Sequence, residues 1–177
     1  MLTVRTADVA PQPWKNGGGV TRELLALPAG RDWRVRDWRV RVSVADVASD
    51  GDFSSFAGVV LTVDGREHRC TRDDDEALAF AGDARTSCRL IDGATRDLNL
   101  MLRGVRGALA RVVVGRAWQP RRRACGLYAS APGNVRGGDE AQAPMPAHAL
   151  RWWPAAPAAI AFDGAGWWLD ADAESPR

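Results

Sequence analysis

The densest chemistry in the chain lies near its N-terminus, in Pro13-Trp14-Lys15-Asn16-Gly17-Gly18-Gly19-Val20-Thr21-Arg22-Glu23. A cation, an amide, a hydroxyl and a carboxylate flank three glycines. Glycine tolerates positive φ and lets a backbone approach a ligand closely, and Asn16-Gly17 is a turn pair. Such a set can hold a small polar molecule; in its plainer use it is a glycine-rich hairpin turn. A phosphate loop of the GxxxxGK[ST] kind is excluded, because Lys15 precedes the glycines. Lys15 is also the single lysine beside 23 arginines. A compact ammonium in a site is not equivalent to a guanidinium fork, so Lys15 is the expected anchor for an anionic group.

Other reactive residue types are sparse. His68 and His148 stand eighty residues apart with no His-x-His spacing, although imidazole and carboxylate are the usual ligands of first-row metals. No metal and no other cofactor is expected. Cys70, Cys88 and Cys125 are odd in number and lack CxxC spacing, which reads as reduced thiols. His68 and Cys70 would share one face of a strand, but this spacing is read as chance adjacency and not as a dyad. Metal-free acid–base chemistry would fall to Glu23 or Asp97, whose ordinary use is hydrogen bonding to turns and strand ends. No catalytic residue is assigned.

The elements that position these residues read as strands. Trp38, Val40, Val42 and Val44 alternate with Arg39, Arg41 and Ser43, and Asp97, Asn99 and Met101 alternate with Leu98, Leu100 and Leu102. Val20, Arg22 and Leu24 oppose Thr21 and Glu23. Further strand-like pieces are 108–114, 158–162 and 167–169. Asp-Gly and Gly-Gly punctuation at 50–51, 64–65, 92–93, 137–138 and 163–164 separates them. Short strands with regular turns and almost no helix mean an all-β sandwich or barrel. The proline-rich stretch 131–157 is looser and reads as in part surface loop. Residues 31–35 repeat as 36–40, a local duplication. Trp152-Trp153 and Trp167-Trp168 should each put one indole in the core and one outside.

A net charge of +2 with both signs interspersed argues against a nucleic-acid partner. Arg121-Arg122-Arg123 reads as a solvated turn. No run of 18 apolar residues exists, so no membrane helix is expected. No leader pattern is visible at the N-terminus, which makes a cytoplasmic location the expectation.

Trp-Lys-Asn-Gly-Gly-Gly-x-Thr-x-Glu at 14–23 resembles the signature of the HutD/Ves family. Further segments match in order: Trp38-Arg39-Val40 with Ser43-Val44-Ala45, residues 50–58 (DGDFSSFAG), residues 78–83 (LAFAGD) with Cys88-Arg89-Leu90, and residues 96–101 (RDLNLM). The likeness is strong over about residues 1 to 105 and weaker beyond, where Gly126-Leu127-Tyr128 carries it. Residues 59–67 are about a strand shorter than the family pattern, and the duplication at 31–40 is an addition.

The resemblance implies a bicupin, two fused cupin-like β-barrels of jelly-roll type: 1–105 with the WKNGGG motif, then a smaller barrel at 106–177. It also implies an association with histidine utilisation, no established enzymatic activity, and a small acidic metabolite such as formylglutamate as ligand. The residues expected to bind it are Lys15, Asn16, Gly17, Gly18, Thr21, Glu23, Arg41, Ser43, Asp97 and Asn99. Lys15 and Arg41 together would suit a small dicarboxylate. The alternative is a metal-independent hydrolase or isomerase acting on a related metabolite. A third reading is a partner-binding module or homodimer using exposed indoles.

Overall fold

The computed structural model of the chain describes residues 1–28, 38–52, 60–65 (backbone), 77–84, 87–90, 93–138 and 141–172. The described residues are almost wholly β, with one 3-10 turn at Thr6–Asp8. In chain order the strands are β1 (Leu2–Arg5), β2 (Gln12–Pro13), β3 (Gly19–Leu27), β4 (Val40–Val47), β5 (Gly51–Asp52) and β6 (Val60–Gly65). There follow β7 (Leu78–Ala81), β8 (Ser87–Cys88), β9 (Thr95–Leu102), β10 (Gly107–Arg111) and β11 (Ala124–Ala129). The last five are β12 (Gly133–Gly137), β13 (Ala143–Met145), β14 (Ala149–Trp153), β15 (Ile160–Phe162) and β16 (Gly166–Ala171).

The chain divides into two compact units. One is Ala10–Gly104; the other joins Met1–Val9 to Val105–Arg177.

In the first unit, six strands run in the order β2-β3-β4-β9-β6-β7, and β5 pairs with β8 separately. Neither sheet closes into a barrel among the described residues. The sheet is built on β4, whose alternating valines suit a pleated, buried surface. Val40, Val42 and Val44 are fully buried and lie opposite Leu102, Leu100 and Leu98 of β9. Burying each such side chain contributes about 1.5–3 kcal/mol. The simple alternation read from Val20 to Leu24 breaks at a β-bulge: Glu23 pairs with Ser43, but Leu25 pairs with Val42. The extra residue lets Glu23 stay on the face of Ser43 while Leu25 and Leu27 turn to the valine face.

In the second unit, β1-β14-β11-β16-β10 form one sheet and β13-β12-β15 another. Between them lies a core of Cys125, Leu127, Ala129, Ala149, Trp153 and Trp168 with Val135, Met145, Ile160 and Phe162. Trp118 stacks on Trp168 with ring centroids 5.1 Å apart.

Two expectations are corrected here. All four indoles of Trp152-Trp153 and Trp167-Trp168 are buried, none above 7% exposure. Neighbouring side chains do point to opposite faces, but both faces of the β11-β14-β16 region are covered. The stretch 131–157, read as in part loop, also holds three strands. Pro144 fits because β13 is an edge strand, where a missing N–H need not break a ladder. Finally, Arg122 of the basic run is not simply solvated: its Nη1 donates to the buried Asp170 at 2.6 Å, with Arg121 N adding a bond at 3.2 Å. Most of the duplication at 31–40, the shortened segment 59–67, His68 and Cys70 lie outside the fully described residues.

Candidate functional site

The strand register puts six of the ten expected ligand residues on one face of the six-stranded sheet. Because side chains directly opposite one another on neighbouring strands share a face, Glu23, Ser43 and Asn99 form one row across β3, β4 and β9. Thr21, Ala45 and Asp97 form the next row, and Arg41 lies opposite Met101 on the other side. The face is deeply buried for so polar a set: Asp97 is 0% exposed, Ser43 2%, Arg41 5% and Asn99 8%. Arg96, on the opposite pleat, is exposed, as is Arg39 just before β4.

Arg41 is held from two sides. Its Nε donates to Glu23 Oε2 at 2.8 Å, and its Nη1 donates to the Met101 thioether at 3.2 Å. A charge-assisted bond to a carboxylate is the stronger of these, so Glu23 fixes the guanidinium. Glu23 is less buried, its side chain 19% exposed. The side chains of Ser43 and Asn99 make no hydrogen bond among the described residues.

The glycine-rich segment does a different job. Gly17 has φ +74° and its N–H donates to Trp14 O. Gly18 N donates to Asn16 Oδ1 at 3.1 Å, and the Trp14 indole donates to Thr21 Oγ1 at 2.7 Å. A Cβ on Gly19 would sit 2.5 Å from Asp46 O and against the Trp14 ring. Asn16, Gly17, Gly18 and Thr21 thus spend these groups on building the turn and locking the Trp14 indole. Trp14 packs beside Ala45, Val47 and Cys88, at the Asp97 end of the polar face. Lys15 follows it, exposed, with no hydrogen bond or ion pair among the described residues. The structure therefore brings Thr21, Glu23, Arg41, Ser43, Asp97 and Asn99 together on the face and leaves Lys15 and Asn16 exposed in the adjoining turn.

Sequence reasoning passed over Trp14 and Met101 as parts of the site. The signal for Trp14 was its place inside the motif. For Met101 it was its shared strand face with Asp97 and Asn99, but its bond to Arg41 needs the β4–β9 register.

Near the end of β4 in the same sheet, Asp46 takes hydrogen bonds from Arg22 and from Arg96, the latter at 2.6 Å. Burial alone would raise its pKa, but the bond and charge of Arg96, with the charge of Arg22, hold it below the ordinary value. In the second unit, burial and then the charge of Asp170 push the Cys125 thiol up to about 12, which makes it a poor nucleophile. Tyr128 Oη lies 3.4 Å from His148 Nδ1. No cluster of three or more His, Cys, Asp or Glu able to hold a metal occurs among the described residues.

Comparison with known proteins adds the following. A family model described as HutD matches residues 6–130. An uncharacterized 21.2 kDa protein in the hutC 3' region of Pseudomonas putida is 38% identical over 110 residues, covering 55% of this chain. That match spans 56% of the relative, little more than half its length. Protein Ves of Citrobacter koseri is 31% identical over 147 residues, or 63% of this chain and 73% of the relative. Among solved structures, HutD from Pseudomonas fluorescens SBW25 is similar with a TM-score of 0.76 at 24% identity, over 98% of this chain and 99% of that one. Oxalate decarboxylase from Lactobacillus farciminis, in a formate complex, shares the fold at a TM-score of 0.51 and 10% identity, over 100% of this chain and 87% of that one. These two likenesses speak for a cupin-like β fold.

Proposed function

This chain belongs to the HutD family, and from that premise we propose that it is a metal-free binding protein for a small acidic metabolite, acting in or regulating histidine utilisation. The observation that carries the proposal is the buried polar face built from Glu23, Arg41, Ser43, Asp97 and Asn99. A sheet face this polar and this buried is costly unless its groups are satisfied. A ligand that hydrogen-bonds them repays that cost, and Arg41 supplies a cation for an acid group. Lys15, Asn16, Gly17, Gly18 and Thr21 belong to the proposed site through the turn that adjoins it, with the Lys15 ammonium as the outer anchor. The relative in the hutC region supports the metabolic assignment. The two sheet systems are read as the two cupin-like, jelly-roll halves of a bicupin.

Formylglutamate is the first ligand to test. Calorimetry on protein treated with a chelator should show saturable binding, and binding should be lost in Arg41→Met. No binding with or without metal would end this reading, and turnover by the metal-free protein would replace it with the hydrolase or isomerase alternative.

A further inference from the structure

We propose that Ser43 and Asn99 form the recognition point for a neutral amide group of the ligand, whose acid function stays outside their row. This rests on the reading of the polar face as a ligand site and names what its centre takes.

The two side chains lie directly opposite each other on β4 and β9. Both are more than nine-tenths buried, and neither side chain hydrogen-bonds any group among the described residues. Neither group is among the fully enclosed side-chain atoms that lack a partner, so the hydroxyl and the carboxamide keep access to solvent and are open to a ligand. Together they present what an amide needs: Asn99 offers donors and an acceptor, and Ser43 one donor and acceptor lone pairs.

The neighbours argue against a carboxylate in that position. Glu23 occupies the same row, and Asp97 lies in the next. The nearest cation, Arg41, already donates to Glu23 at 2.8 Å. An anion over Ser43 and Asn99 would face two carboxyl groups with one committed guanidinium, whereas a neutral group meets no such repulsion. A site that hydrogen-bonds a neutral polar group also rejects analogues lacking it, since its own buried groups are then left unpaired.

The test uses acetamide and acetate as probes on the purified full chain, followed by ligand-observed NMR, together with formylglutamate calorimetry. Acetamide should bind more tightly than acetate. Ser43→Ala should weaken acetamide roughly fivefold and Asn99→Leu about tenfold, the loss expected for one and for more than one neutral hydrogen bond. The Tm of Ser43→Ala should hold, because no hydrogen bond within the protein is removed. A drop in Tm with unchanged acetamide binding would mean a structural role and overturn the inference. So would tighter binding of acetate than acetamide, or formylglutamate binding that both variants leave intact; in these cases the ligand site itself still stands. If none of the three compounds binds, the ligand site and the inference fall together.

Discussion

Arg41 and Glu23 stand on adjacent antiparallel strands, and the guanidinium donates to the carboxylate at 2.8 Å while only 5% exposed. They are diagonal neighbours, since Glu23 pairs with Ser43 and Arg41 with Ala26. The β-bulge after Glu23 sets that diagonal. Breaking a buried pair from one side typically costs ~3–5 kcal/mol, but Glu23 is partly exposed and can rehydrate. Arg41→Met should therefore lower unfolding free energy by about 2 kcal/mol. Urea denaturation measures it, and a loss near zero would mean that the pair does not hold the face.

Two glycines of the WKNGGG turn should fail for different reasons. Gly17→Ala forces a side chain into a left-handed conformation with open space around it, costing about 1–2 kcal/mol. Gly19→Ala places a methyl 2.5 Å from Asp46 O, a backbone atom that cannot swing away. Overpacking of this kind costs about 1–3 kcal/mol, and it should also shift Trp14, which lies 3.2 Å from the same position. Indole fluorescence should change in Gly19→Ala and not in Gly17→Ala.

Acid stability should depend on Asp46. Its pKa is lowered in the folded state, so folding favours the ionised form. That contribution is fully present above the unfolded carboxylate value of about 3.9 and is lost as pH falls through the folded value. The same sign holds for Asp163, whose carboxylate accepts the backbone N–H of Asn134. Asp46→Asn should flatten the fall in stability below about pH 4. The effect should be small and salt-sensitive, because Arg96 is well exposed. An unchanged acid limb in low salt would count against the Arg22–Asp46–Arg96 cluster.

Cys125 should resist alkylation. Its thiol is fully buried and its pKa is pushed up to about 12, first by burial and then by Asp170. Native protein treated with iodoacetamide at pH 8 and mapped by mass spectrometry should carry no label there, and label should appear on unfolding in urea. Rapid native labelling would mean that the core around Leu127 and Trp168 opens.

Much of this was legible in the residues. The period-two alternation of β4 and β9 gave both the strands and the polar face, because a side chain's face follows directly from its parity along a strand. The ten ligand candidates separated only when the register was known: pairing puts Ser43 against Asn99, whereas the turn takes up groups of Asn16, Gly17, Gly18 and Thr21. The bulge after Glu23 could not be read, since an inserted residue looks like ordinary alternation until the partner strand is present. The tryptophan pairs misled for a related reason. Parity predicts opposite faces, but whether the second face meets solvent is a tertiary fact. Pro144 hid the short strand β13, because proline marks a loop in most settings and its tolerance here depends on β13 having one neighbour.

The place of β1 bears on how the protein is made. Leu2–Arg5 pairs with Ala149–Trp152, so a strand made before residues 10–104 completes a sheet whose other members are made after them. Until then its backbone donors and acceptors can be met only by water, while residues 10–104 already hold every strand of their own six-stranded sheet. Synthesis thus imposes an order: residues 10–104 can settle first, and β1 joins its own sheet afterwards. A fragment starting at residue 105 would leave the outer edge of β14 bare, and bare edges recruit other strands. Self-association of that fragment, relieved by adding a peptide spanning residues 1–9, is the expected signature of this late closure.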